Sequence, residues 1–159
     1  MTDTMQNNEE LVDALNELVR INYDRVFGYE RAIEDVEDKD VDLKAVFSKY
    51  ADQSRKYVTH WNQAISAIGG EPVTDSTMRG KVFRVWMDFK ATLTGKDRKS
   101  ILDSCEFGED AAQRAYQEAL ESDAHLPDDV RQQIAEQKAE LKDAHDSIRD
   151  AAKLQGKLS

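Results

Sequence analysis

The stretch CEFGED, residues 105–110, sets Glu106 and Glu109 three residues apart in a segment of helical character. Carboxylates at that spacing are neighbours on one helix face. His145 stands in a later helical segment and His60 in an earlier one. Carboxylate oxygens and imidazole nitrogens are the donors that hold Zn²⁺ and Fe²⁺ in proteins. If two helices run antiparallel outward from the loop near residue 125, His145 falls level with about residue 105, because both helices rise equally per residue. That brings Glu106 or Glu109 close to His145. Two readings follow. In one, Glu106, Glu109 and His145 bind a single Fe or Zn ion. In the other, Glu109 and His145 face the bundle interior as a hydrogen-bonded pair that needs no metal.

A bundle-held di-metal carboxylate centre asks for more: a Glu from each of two helices and a Glu-x-x-His pair from each of the other two. Lys142, not Glu, precedes His145 by three residues, and Tyr57 precedes His60. His60 also lacks a second carboxylate among its neighbours. Asn22 occupies the position in the first helix that would correspond to Glu109, and Arg20 nearby would repel cations. The full constellation is therefore absent. No catalytic residue is assigned, because Cys105 has no adjacent base and nucleophile elbows, CxxC pairs and phosphate-binding glycine loops are missing.

The elements that must carry these residues are helices. Apolar residues recur at spacings of three and four over about 8–37 (Leu11, Leu15, Leu18, Val26, Tyr29, Ile33), 41–68 (Leu43, Phe47, Tyr50, Tyr57, Trp61, Ile68), 98–121 (Leu102, Cys105, Ala112, Tyr116) and 127–154 (Val130, Ile134, Leu141, Ile148). Asn22 and Ser54 interrupt their apolar seams and read as polar residues that fix register. Gly69-Gly70 closes the second helix and Pro127 opens the fourth. The first and second helices, and the third and fourth, are joined by short connections, so each pair forms an antiparallel hairpin. Residues 69–97 form a long crossover. Within it Val82, Trp86, Phe89 and Leu93 repeat at helical spacing, which predicts a short helix near 78–93 pinned to the bundle by Trp86. The fold class is all-α, one domain over 1–159, in the ferritin-like arrangement of two hairpins and a crossover.

The totals bound the function. A chain of 159 residues with 40% hydrophobic and 34% charged residues can bury a core without staples. Its net charge of −10 argues against nucleic acid as a partner. Residues 79–99 depart from that balance, with seven basic side chains against two acidic ones, and offer a docking patch for an acidic partner or a face that packs on the acidic bundle. A single cysteine, no basic-apolar leader and no long apolar run predict a cytoplasmic protein without a membrane span. Self-association into a homo-oligomer is compatible with all of this.

The segments LKAVFSKYADQ…IGGEP, WMDFKATLTGKD, CEFGEDAAQRAYQEAL and AHDSIRD occur in the order and spacing of a bacterial ferritin-like four-helix-bundle family of unknown function, which the chain resembles over about residues 8–152. The resemblance implies the fold and no established reaction. The expectation is a non-enzymatic bundle without a cofactor, acting as a structural or interaction protein, with a stress response as one setting. The alternative is a metal-binding bundle with its reduced site between the third and fourth helices.

Overall fold

The computed structural model describes residues 2–72 and 97–158. They form four α-helices: α1 (Thr2–Asp35), α2 (Val41–Ala67), α3 (Arg98–Glu121) and α4 (Asp128–Leu158). No strand occurs among the described residues. The all-α bundle expected from periodicity is the one observed. The predicted crossover helix, Trp86, and residues 79–96 of the basic segment lie outside the described residues.

Cross-helix contacts fix the directions. Asn16, in the N-terminal half of α1, donates to the Glu71 carbonyl beyond the end of α2, at 3.2 Å. Arg98 at the start of α3 donates to Gln155 near the end of α4, at 3.1 Å. Both hairpins are therefore antiparallel. Arg98 also reaches Asp40 at 2.9 Å and Asp42 at 2.5 Å, at the start of α2. The starts of α2 and α3 thus share one end of the bundle, while α2 finishes at the other. The end of α2 and the start of α3 therefore lie at opposite ends of the bundle.

The helix ends follow their local chemistry. Asp97 caps α3 by accepting from the Ser100 N–H at 2.7 Å. Asp40 precedes α2 but makes no such cap, because its carboxylate is engaged with Arg98. The α2 terminus is a Schellman motif: Gly70 N–H donates to the Ile65 carbonyl at 2.9 Å and Gly69 N–H to Ser66 at 3.1 Å. Gly69 supplies the left-handed residue, with φ of 81°. Gly70 is required for space, since a Cβ there would lie 2.6 Å from the Val12 side chain and 2.9 Å from that of Ile65.

The core is not one continuous apolar mass. One cluster gathers Leu15, Leu18, Trp61, Ile65, Ile134 and Leu141. A second gathers Phe47, Tyr50, Ile101, Leu102, Cys105 and Ile148. Between them sits a layer of buried polar side chains, which includes Asn22, Arg25, Ser54 and Glu109.

The α2 terminus gives a direct test. Gly69→Ala should destabilise by roughly 1–2 kcal/mol, the cost of left-handed backbone for an L residue. Gly70→Ala should also lower the melting temperature, through its clash with Val12. Unchanged thermal unfolding in either variant would contradict the closure described.

Candidate functional site: a buried ion pair and a carboxylate–histidine cluster at the rim

The polar layer is built around Arg25, one of the largest fully buried side chains. Its Nε donates to Glu109 Oε1 at 2.7 Å, and the two side chains are 1% and 0% exposed. The Tyr29 hydroxyl, one turn along α1, donates to the same oxygen. Arg25 Nη1 donates to Ser54 Oγ at 2.8 Å and to the Tyr50 carbonyl at 3.3 Å. The guanidinium also lies 5.3 Å from the Tyr29 ring centre and 5.5 Å from that of Tyr50, where the ring faces attract a cation.

From Ser54 the hydrogen bonds continue with one consistent direction. Ser54 Oγ donates to Asn22 Oδ1 at 2.9 Å. Asn22 Nδ2 donates to the Leu18 carbonyl at 2.8 Å and to the Tyr116 hydroxyl at 2.9 Å. Tyr116 then donates to Gln137 Oε1 at 2.6 Å, and Trp61 Nε1 donates to the same oxygen at 2.7 Å. The network thereby links all four helices. Its charges match: burial alone would lower the Arg25 pKa, but the Glu109 charge and hydrogen bond outweigh it and the pKa is raised. Burial first, and the Glu109 charge second, push the Tyr29 hydroxyl well above its ordinary pKa. Tyr29 is therefore a neutral donor, and burial pushes Tyr116 up to about 12 as well.

These residues do not fit a di-metal carboxylate centre. Such a centre draws a carboxylate from every helix and an imidazole from two. The hydrogen-bonded network supplies one carboxylate, Glu109, with a guanidinium already against it. Glu109 Oε2 and Arg25 Nη2 carry no hydrogen bond, so the only unengaged oxygen of Glu109 is offset by an unengaged cationic donor on its partner.

Glu109 faces the interior as its position on the seam predicts, but its partners are Arg25 and Tyr29 rather than His145. His145 lies at the rim between α3 and α4, 17% exposed. Its Nε2 is 2.5 Å from Asp110 Oδ1, and its Nδ1 is 3.1 Å from Asp146 Oδ1. Glu106 joins it: one donor atom each of Glu106, Asp110 and His145 lie within 4.8 Å of one another. The structure thus brings together two of the three expected residues, with Asp110 where Glu109 was expected. His60 is elsewhere. It pairs with Gln133 at 3.0 Å and stands edge-on to Trp61, on the wall of a cleft of about 410 Å³ lined also by Leu11, Leu15 and Val130. Within the basic segment, Arg98 is held by Asp40 and Asp42, and Lys99 by Asp103 at 2.7 Å.

Burial works to lower the His145 pKa, but hydrogen bonds from Asp146 and Asp110 outweigh it and the pKa lies above 6.5. The group is thus bound more tightly as imidazolium in the folded state. Its stabilisation is complete below the unfolded value and is lost as pH rises through the folded one.

Comparison with known proteins agrees with this architecture. The family described as "Domain of unknown function (DUF2383)" matches residues 10–122, most of the chain, and the chain belongs to it. No curated protein matches. Among solved structures, the chain is similar to one described as "ferritin like, diiron-carboxylate proteins" from Bacillus anthracis str. Ames. The likeness has a TM-score of 0.60 and 18% identity, and covers 96% of each chain. It shows the ferritin-like fold. Among the described residues, no helix is long and apolar enough to cross a membrane.

Two predictions follow from the geometry. Arg25→Met should cost about 3–5 kcal/mol by leaving Glu109 buried and unpaired, and Glu109→Met should cost a similar amount. The double variant should be more stable than either single one, as measured by denaturant unfolding; additive losses would contradict the pairing. His145→Gln should be most destabilised relative to wild type below about pH 6, where the imidazole is charged in both states. A deficit that instead grew toward alkaline pH would contradict the assignment.

Proposed function

We propose that this chain is a non-enzymatic ferritin-like bundle, a structural or interaction protein whose interior is held by an ion pair instead of a di-metal centre. The observation that carries the reading is the buried contact between Arg25 and Glu109 at 2.7 Å. A guanidinium in that layer satisfies the carboxylate, brings a positive charge that repels divalent cations, and removes the need for one. The positive charge of a buried arginine is permanent, because it does not deprotonate in proteins.

Burial supports the same conclusion for catalysis. Asn22, Arg25, Tyr29, Ser54, Glu109 and Tyr116 are each at most 1% exposed. Groups at that depth meet a substrate only if the bundle opens, and a candidate acid or base must lie within hydrogen-bond reach of the proton it moves. The hydroxyls of Tyr29 and Tyr116, raised in pKa, serve as fixed donors in the scaffold. Fe or Zn binding enters this reading only at the surface.

The test is metal content together with iron oxidation. Protein made in iron-rich medium and purified without chelator, then dialysed against a weak chelator, should retain no stoichiometric iron. It should oxidise added Fe²⁺ no faster than buffer. Two retained iron ions per chain, the complement of a di-iron carboxylate centre, with oxygen-dependent turnover of Fe²⁺, would contradict the proposal.

A further inference from the structure

We infer that Glu106 and Asp110 of α3 and His145 of α4 form an exchangeable surface site for one divalent first-row transition ion of the Zn²⁺ class. The inference is independent of the interior. Among the described residues, this is where three metal-ligating side chains converge.

The geometry has the parts of a chelate between two helices. Glu106 and Asp110 stand one turn apart on α3, so both carboxylates project from the same face. His145 reaches them from the facing helix, its Nε2 already 2.5 Å from Asp110. Donors bound tetrahedrally at about 2.1 Å from an ion sit about 3.4 Å from one another. The donor atoms already lie within 4.8 Å of one another, close to that separation. Water would complete the coordination.

A residue outside the three donors prepares the imidazole. Asp146 accepts from His145 Nδ1 at 3.1 Å, and is itself held by Lys142 at 2.8 Å and Arg149 at 3.4 Å. This carboxylate–histidine arrangement fixes the ring orientation and the tautomer that leaves Nε2 for a metal. Without an ion, both ring nitrogens face carboxylates. On binding, the Nε2 lone pair forms the bond to the ion, any proton on Nε2 leaves to solvent, and Nδ1 keeps its proton, donated to Asp146. The charged groups around the ring are Glu106 and Asp110 from α3, and Lys142, Asp146 and Arg149 from α4. An imidazole donor beside two carboxylates selects a transition ion over Mg²⁺ or Ca²⁺, which prefer oxygen alone. The bound ion would cross-link α3 to α4.

The test uses Co²⁺ as a visible probe and Zn²⁺ as competitor, on full-length chelator-treated protein. One Co²⁺ per chain should bind with a ligand-field spectrum and be displaced by Zn²⁺. Zn²⁺ should raise the melting temperature of the wild type. His145→Gln and Asp110→Asn should abolish the spectrum and the thermal shift while keeping the wild-type helical content. Asp146→Asn should weaken binding about 10-fold, the usual scale for a partner of a ligating histidine. His125→Gln, in the loop before α4, should bind like wild type. Absence of a saturable spectrum at micromolar to millimolar Co²⁺, or a spectrum that survives His145→Gln, overturns the inference. Neither result bears on the interior ion pair, whose failure would appear as chelator-resistant iron in both wild type and His145→Gln.

Discussion

The structure depends on one contact, the pairing of Arg25 with Glu109 in the middle of the bundle. Removing two charges from water costs several kcal/mol for each, and only close geometry and further hydrogen bonds offset it. Those bonds are present: Tyr29 on the carboxylate, and Ser54 and the Tyr50 carbonyl on the guanidinium. A register shift of one residue between α1 and α3 would leave both ions unpaired in an apolar core. The pair therefore sets register far more stringently than the leucines around it, which tolerate sliding. Ion pairs on the surface, such as Arg55 with Glu30, are half exposed and carry no comparable constraint.

The hydroxyl and amide chain from Ser54 to Gln137 extends this constraint to the other two helices. Each member has its donors and acceptors used in one direction, so the order of the helices around the bundle is specified along with their register. The apolar clusters on either side then supply bulk stabilisation without having to select the arrangement. The same division separates interior from surface chemistry. The Arg25–Glu109 pair is charge-balanced and closed. The cluster of Glu106, Asp110 and His145 lies at the rim of the α3–α4 hairpin, where water and ions have access.

Much of the fold could be read from residue spacing. Long apolar seams gave four helices, Gly69-Gly70 gave the end of α2, and the two short connections gave the hairpins. Glu109 was legible as an interior residue because it lies between Cys105 and Ala112, both buried. Its partner was not. The seam of α1 continues from Asn22 to Arg25, three residues on, whereas apolar character points to Val26, four residues on. One residue is about 100° around a helix, and α1 buries both, Val26 in the apolar core and Arg25 in the ion pair. The same ambiguity moved the histidine: the buried seam of α4 runs through Leu141, Ala144 and Ile148, which turns His145 to the rim and toward Asp110. Arginine carries no apolar signal, so a hydropathy pattern cannot report that it is buried. The available signal was the unpaired Glu109 itself, since a carboxylate in a core requires a cation or donors from a facing helix.

The central claim is most directly tested by the Arg25 Nε–H proton, observed by ¹H–¹⁵N NMR and assigned by its loss in Arg25→Met. The account predicts a resolved signal, protected from exchange with water at neutral pH and shifted in Glu109→Gln. A signal that exchanges as freely as that of the half-exposed Arg55, or that is indifferent to Glu109→Gln, would contradict it.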